Sequence, residues 1–329
     1  MDSQDKESPE NPMTTTAHAP RTEHDGVVYD EAGSANAQRR GRRFNTIWLF
    51  ALPALIPYLF VVIIPSVQGI TFSFTDWNGL NPDWSWVGFD NYVRLINDKA
   101  AVGAVVNTLT LAVVVTIFEN VIGLALALAL NTRIKSRNAL RLVFFAPVVV
   151  LSVVVAFLWQ FIYTPSGPIN QVLEAIGLGE LAQNWLGDPD LALGAISVIM
   201  IWQFSGYAMV IYLAGLQGVP QEQLEAAALD GAGAFKRFWY VVRPLLAPAI
   251  TVNLMLALIR GLMAFDQIWV TTQGGPAQST ETLSTLVYRN AFQYGEFSYS
   301  AAIAVVLSLF VAALAIVQYR LLNRSGKNA

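Results

Sequence analysis

The sequence predicts an all-α membrane protein with six transmembrane helices. Apolar residue types make up 54% of the 329 residues and charged types only 13%, which is roughly half the charged share typical of globular proteins. Six apolar stretches are each longer than the about 20 residues that a helix needs to cross the hydrocarbon core of a bilayer. Segments of alternating hydrophobicity, which are typical of membrane β-barrels, are missing. The predicted spans are 47–70, 105–130, 142–163, 191–216, 245–265 and 298–319.

The residue inventory excludes several kinds of chemistry. Cysteine is absent, and the only two histidines, His18 and His24, lie in the polar N-terminal region. Disulfides, thiolate nucleophiles and cysteine-bound metals are therefore excluded. A histidine-based catalytic site or metal site inside the membrane is excluded as well, so we expect no catalytic residue and no metal.

The two ends of the chain are polar. Residues 1–45 are rich in Asp, Glu, Thr, Ala and Pro without apolar periodicity, which predicts a disordered tail. A secretory signal peptide would begin with a short basic segment and a short apolar core, so we expect the first helix to be retained. The predicted organisation is a tail, a transmembrane domain over 46–323 and a short C-terminal tail over 324–329.

Basic residues predict the orientation in the membrane, because cytoplasmic loops carry an excess of Lys and Arg. The opposite side would hold only Arg94, Lys99 and Arg289, together with most of the acidic residues of the loops, and Arg260 lies inside a span. Both termini are therefore predicted to be cytoplasmic. The basic residues on the cytoplasmic side are Lys6, Arg21, Arg39, Arg40, Arg42, Arg43, Arg133, Lys135, Arg137, Arg141, Lys236, Arg237, Arg243, Arg320, Arg324 and Lys327.

The segment 218–248, between the fourth and fifth spans, is longer than a simple connection between two helices requires. Residues 221–229 are good helix formers with acidic side chains near the positive end of the helix dipole. Asp230-Gly231 predicts the end of this helix, since glycine readily adopts the left-handed conformation found there. A second short helix is predicted over about 234–242, ending before Pro244.

This segment resembles the EAA loop found in the membrane subunits of bacterial ABC importers. The resemblance lies in Glu225-Ala226-Ala227, Asp230-Gly231-Ala232, Phe238, Pro244 and Pro248. It extends over about residues 46–323 and is closest to carbohydrate-importer permeases of the maltose type. Such a resemblance implies the type I ABC importer permease fold in a bacterial cell membrane. Further matching motifs are Val87–Tyr92, Ala214–Pro220, Phe265–Trp269, Gly274–Pro276, Ser279–Leu283 and Tyr288–Phe292.

The resemblance also implies partners. In the family, the EAA helix docks into a groove on a cytoplasmic ATPase subunit, and ATP-driven closure of two ATPases rotates the membrane subunits. A second, non-identical permease subunit and an extracellular solute-binding protein complete such an importer. No Gly-x-x-x-x-Gly-Lys-Ser/Thr phosphate loop occurs here, so we expect ATP to be bound by the partner and no cofactor by this chain. The implied coupling residues are Glu225, Ala226, Ala227, Asp230, Gly231, Phe238 and Pro244.

For Glu225 and Asp230, local capping of the helix remains an alternative to contact with the ATPase.

By similarity to maltose-type permeases, a second group of residues is expected to face a sugar, most simply a disaccharide or oligosaccharide. An aromatic ring beside hydroxyl and amide groups suits such a ligand, but hydrogen bonding between helices is the alternative for the polar members. This substrate-pathway group is Ser152, Gln203, Phe204, Tyr207, Arg260, Gly261 and Ala264.

Two charges inside spans leave further alternatives open. Glu119 falls near the middle of the second span and Arg260 towards the external end of the fifth. A charge at the bilayer centre is costly, so the two could pair across the bundle. Alternatively, Arg260 faces the cavity and binds an anionic sugar derivative such as a glycerol phosphate.

An ion-driven secondary transporter is the alternative class of protein. It would need internal repeats and embedded carboxylates, and apart from Glu119 these are lacking.

Overall fold

The computed structural model describes residues 44–132 and 134–326. Within these ranges the chain is helical, and the only strand-like pairing is a single antiparallel bridge between Thr75 and Trp86. The predicted disordered tail lies outside the described residues except for Phe44 and Asn45, which begin the first helix. At the other end, the last helix continues to Gly326, into the segment predicted as a tail.

Most helices follow one another closely. Short π-helical turns at Leu59–Ile63, Phe238–Val242 and Arg289–Gln293 interrupt or extend the longer helices. The α-helices are α1 (Phe44–Tyr58), α2 (Ile64–Phe72), α3 (Asp90–Asn97), α4 (Lys99–Leu130), α5 (Arg137–Val149), α6 (Ser152–Ile162), α7 (Pro168–Ala175), α8 (Ala192–Gln217), α9 (Gln221–Leu229), α10 (Ala234–Arg237), α11 (Arg243–Leu245), α12 (Ala247–Leu262), α13 (Asp266–Thr271), α14 (Leu283–Tyr288) and α15 (Phe297–Gly326). Longer connections precede α3, α8 and α14.

The described chain divides into two units, residues 44–59 and residues 60–326. The first unit is α1, which contains Pro53 and Pro57. Each proline removes a backbone donor from the helix, and membrane helices tolerate this where local π-helical adjustments or neighbours satisfy the freed groups. The second unit contains all the other helices and the candidate sites.

Five helical segments are long and apolar enough to cross a membrane, which confirms five of the six predicted spans. The sixth, predicted as one continuous span over 142–163, is instead two helices, α5 and α6, bent by 99°. Pro147 lies near the end of α5, and Val150 and Leu151 adopt extended backbone conformations between the helices. Together, α5 and α6 count as a sixth span only if this broken pair crosses the membrane as one.

The core of the second unit forms where α4, α8 and α12 pack together, and α5 crosses α8. Small residues such as Ala112, Ala208 and Ala257 are fully buried along these helices. They allow close approach, which is how membrane helices gain packing energy. Larger side chains, including Met209 and Tyr212, fill the space towards α11 and α12.

Contacts define two ends of this unit. At one end, the loop after α4 meets α9 and the π-helical turn 238–242 around a cleft of about 340 Å³. At the other end, Arg94 pairs with Glu296 at 2.7 Å, and Asn107 donates a hydrogen bond to the carbonyl oxygen of Glu281 at 2.9 Å. The loop after α4 and the segment that follows α8 therefore lie at one end of this unit, and the loops that carry Glu281 and Glu296 lie at the other.

Candidate coupling surface and transport pathway

The predicted helix over 221–229 is confirmed as α9, and the predicted turn follows it. Three backbone hydrogen bonds close its end, from the amides of Asp230, Gly231 and Ala232 to the carbonyl oxygens of Ala226, Ala228 and Ala227. Gly231 has a φ of +78°, the left-handed conformation that glycine adopts at little cost. A side chain at this position would strain the turn, so the glycine fixes the direction of the chain leaving α9.

Residues 221–242, which comprise α9, the turn, α10 and the following π-helical turn, form a helical hairpin. Its tip, residues 225–231, is largely exposed. Glu225, Ala226, Asp230 and Gly231 are exposed and Ala227 is half-buried, while Leu229 keeps 90% of its side chain accessible. Glu225 accepts one hydrogen bond, from the Gln221 amide at 3.2 Å, and forms no ion pair with any described residue. Exposed apolar side chains beside free carboxylates are typical of a protein interaction surface.

The capping alternatives for the two carboxylates find limited support. The Asp230 side chain accepts no hydrogen bond in the described part of the chain, since the turn is closed by backbone groups alone. Glu225 lies in the middle of α9, where its hydrogen bond to Gln221 links two side chains rather than capping an end. Both carboxylates are therefore available to a partner.

The prediction that the second helix ends before Pro244 is wrong. After α10, the chain continues as a π-helical turn over Phe238–Val242, then as α11, and enters α12 after Leu246. Pro244 lies at the start of α11 and does not end the helical path, although it donates no backbone hydrogen bond. Leu246 is fully buried and donates its amide to Val242 at 2.9 Å. The hairpin is thus joined to the span without a flexible linker.

Two members of the coupling group, Phe238 and Pro244, lie behind the tip of the hairpin. Phe238 and Pro244 are both half-buried. Phe238 lines the cleft of about 340 Å³ together with Leu224 and Glu225 of α9. These residues support the hairpin from behind, whereas the exposed tip is the part that another protein could contact.

Gln203, in the substrate-pathway group, is almost completely buried at 1% exposure. Its amide nitrogen donates to the carbonyl oxygen of Val150 at 3.2 Å and to the Ser152 hydroxyl at 3.4 Å, and its carbonyl oxygen accepts from Gln267 at 3.0 Å. This network joins α8 to the break between α5 and α6 and to α13. The contacts match the alternative of hydrogen bonding between helices.

Arg260 and Glu119 form an ion pair, which confirms the pairing hypothesis. The Glu119 side chain is fully buried and that of Arg260 keeps 23% exposure. The guanidinium carbon also lies 4.8 Å from the Phe204 ring centroid and 5.4 Å from that of Tyr207. Arg260 lies in the last turn of α12, in agreement with the prediction that it stands towards that end of the fifth span, and the apolar segment continues beyond it to Thr271.

The remaining members of the pathway group pack against other helices. A Cβ atom at Gly261 would lie 2.5 Å from the Cα atom of Ala112 on α4. Ala264 is 5% exposed and belongs to a core cluster with Leu111 and Ile268. Of the seven residues, Ser152, Phe204, Tyr207 and Arg260 are partly exposed, whereas Gln203, Gly261 and Ala264 are buried.

Sequence reasoning missed two polar contacts between the spans. Gln267 lies beyond the predicted end of the fifth span, although it is part of a motif that carries the family resemblance. Tyr212 donates a hydrogen bond to the side-chain oxygen of Asn120 at 2.7 Å. A tyrosine in an apolar helix gives no sequence signal for its partner, so only the three-dimensional packing reveals this link between α4 and α8.

The loop between α13 and α14 is built around a second buried carboxylate. Glu281 is 1% exposed and pairs with Arg289 at 2.8 Å, and Arg289 also donates to the carbonyl oxygen of Gln273. Burial raises the pKa of Glu281, while the Arg289 guanidinium acts in the opposite direction. The pair closes this loop over a cleft of about 420 Å³.

Gly274→Ala is expected to destabilise this loop. At Gly274, φ is +84°, and an added Cβ atom would lie 2.0 Å from a carboxylate oxygen of Glu281. The pair with Arg289 would have to open, which adds about 1–3 kcal/mol of lost hydrogen bonding to the cost of the backbone conformation. In limited proteolysis of the purified protein, we expect this loop to be cleaved faster in the variant than in the wild type.

The matched control is Gly295→Ala. Its φ is +69°, and nothing lies within 4 Å of an added Cβ atom, so it carries only the backbone cost of about 1–2 kcal/mol. Equal cleavage rates in the two variants would contradict the role given to the buried pair.

Residues 119–327 match the family model described as "Binding-protein-dependent transport system inner membrane component". The chain belongs to this family. It is therefore a multi-pass membrane protein and a transport subunit, not an enzyme, and the alternative of an ion-driven secondary transporter is set aside. The hairpin that carries the candidate coupling residues and the ion pair both lie within the matched residues.

Individual relatives are similar to this chain over most of their length. The chain is 37% identical over 290 residues to a probable ABC transporter permease of Pyrococcus horikoshii, covering 88% of this chain and 99% of that one. It is 35% identical over 274 residues to the multiple sugar-binding transport system permease MsmF of Streptococcus mutans, covering 83% and 94%. A bacterial ABC transporter involved in importing the acidic polysaccharide alginate has a chain of similar structure, with a TM-score of 0.72, 26% identity and coverage of 87% and 96%.

Proposed function

We propose that this chain forms half of the membrane pathway of an ATP-driven importer that carries a sugar into the cell. The observation that carries the proposal is the exposed helix α9, which a tight turn joins to a helical path that runs from α10 through α11 to α12. In this role, a cytoplasmic ABC ATPase subunit binds ATP and contacts the hairpin tip, and its movement reaches α12 directly. This chain itself binds no ATP and needs no cofactor.

The proposed substrate is an uncharged disaccharide or oligosaccharide. The relative MsmF is named for multiple sugars, and the charge of Arg260 is already matched by Glu119 within the chain. The partly exposed rings of Phe204 and Tyr207 offer apolar faces that suit a sugar ring. An anionic sugar derivative is the second candidate, since the alginate importer takes an acidic polysaccharide.

The proposed assembly has three further components. A second homologous permease, not identical to this chain, completes the pathway, and two ATPase subunits lie on the cytoplasmic side. An extracellular solute-binding protein delivers the sugar, in agreement with the family description. Both termini are proposed to lie in the cytoplasm of a bacterial cell, because the loops that carry basic residues share one end of the bundle.

The test is to purify this chain from its host and to measure ATP hydrolysis after reconstitution. We expect an ABC ATPase and a second permease to co-purify. Hydrolysis should rise when the binding protein is loaded with one uncharged sugar from a panel that also contains sugar phosphates and uronic acids. If no ATPase co-purifies, the importer proposal is wrong; if only the anionic members stimulate hydrolysis, the proposed substrate class is wrong.

A further inference from the structure

Glu119 and Arg260 are isolated charges among the helices that form the core. Beyond Lys99 at the start of α4, they are the only charged residues in α4, α8 and α12. Glu119 contributes a fully buried carboxylate from α4, and Arg260 reaches it from α12. The formal charges of the pair cancel, so this part of the bundle is polar but has no net charge.

The Arg260 side chain is also held by α8. Its guanidinium lies over the rings of Phe204 and Tyr207, 4.8 and 5.4 Å from their centroids. Contacts of this kind favour a cation that has lost part of its hydration. Three helices therefore fix the position of this guanidinium, and Glu119 supplies the only carboxylate that pairs with it in the described part of the chain.

We propose that Glu119 is a positioning residue that also determines specificity: it orients Arg260 and cancels its charge, so that the pathway admits uncharged, hydroxyl-rich ligands and does not retain anions. This inference rests on the proposed function. It assigns Arg260 the role of an internal partner rather than that of a direct binding site for an anionic substrate.

The hydrogen-bonding capacity of the pair agrees with this assignment. One carboxylate oxygen of Glu119, Oε2, and one guanidinium nitrogen, Nε of Arg260, are buried without a hydrogen-bond partner among the described residues. The pair therefore retains one free acceptor and one free donor. Both atoms are buried, so a ligand can reach only the exposed part of the guanidinium. A sulfate or carboxylate bound there can only accept hydrogen bonds and would compete with Glu119 for the guanidinium.

The experiment removes the charge of Glu119 and measures the binding of a small anion. Glu119→Gln, Arg260→Gln and the double variant are purified in the full importer complex, and the binding of radiolabelled sulfate is measured by equilibrium dialysis at constant ionic strength. We expect Glu119→Gln to bind sulfate about tenfold more tightly than the wild type, because its guanidinium is unpaired. Arg260→Gln and the double variant should bind no more sulfate than the wild type.

Sugar uptake into proteoliposomes is the second measurement. Either single variant leaves one buried charge without its partner, so we expect uptake to fall by about tenfold or more. The double variant should recover to within about threefold of the wild type, since two amides can hydrogen-bond to each other. A purely structural role for Glu119 would not produce a new anion site.

Two results would overturn the inference: sulfate binding by Glu119→Gln that equals that of the wild type, or a double variant as inactive as the worse single variant. Glu119→Asp, which keeps the charge on a shorter side chain, should bind no additional sulfate and serves as the control. The sulfate measurement does not depend on a transported sugar. A wild-type complex that transports no sugar would contradict the proposed function, while the role of Glu119 would still be decided by sulfate binding.

Discussion

Reversing both charges at the tip of the hairpin, with Glu225→Lys and Asp230→Lys, is expected to abolish the stimulation of ATP hydrolysis by the loaded binding protein. Both carboxylates are exposed and pair with no described basic residue, so they are free to meet basic groups on the ATPase. Opposite charges at an interface favour the correct partner, and like charges placed against each other cost several kcal/mol. Hydrolysis by the reconstituted complex is the measurement.

The neutral pair Glu225→Gln with Asp230→Asn is the matched control, because it keeps the shape of both side chains. It should retain part of the stimulation, since it removes attraction without adding repulsion. Neither double variant should change the amount of chain in the membrane, because neither carboxylate contributes to the packed core. Stimulation within about twofold of the wild type in the lysine variant would contradict the proposed docking surface.

The hairpin was predictable because its structure is determined locally. Good helix formers over residues 221–229 and a glycine at 231 specify a helix end through backbone conformation alone, and the structure places both where the sequence puts them. Only the continuation through Pro244 was missed, because proline signals equally the end of one helix and the first turn of the next.

The transport pathway was less predictable because it depends on contacts between distant segments. Apolar composition over 142–163 indicates burial in the membrane but contains no information on direction, so the 99° bend between α5 and α6 was not foreseen. Gln203 illustrates the same limit. The sequence shows a polar side chain in a span, but its partners Val150, Ser152 and Gln267 belong to two other segments.

A close contact of α5 with α8 leads to the second large effect. Gly206→Ala is expected to destabilise the folded bundle, because an added Cβ atom would lie 1.9 Å from the carbonyl oxygen of Phe144 and 3.0 Å from the Cα atom of Phe145. Both are backbone atoms, so α5 must move as a whole rather than one side chain turning aside. Overpacking of this kind costs about 1–3 kcal/mol or more, and a lower thermal midpoint of the purified complex would report it.

Gly103→Ala provides the control for this substitution, since it lies within α4 and nothing is found within 4 Å of the added Cβ atom. Alanine has a higher helix propensity than glycine by about 1 kcal/mol, so without a steric clash the same substitution should leave the midpoint unchanged or raise it. Gly206→Ala is therefore expected to lower the thermal midpoint, whereas Gly103→Ala should leave it unchanged or raise it. A midpoint for Gly206→Ala at or above that of the wild type would mean that α5 and α8 do not approach closely in the assembled importer.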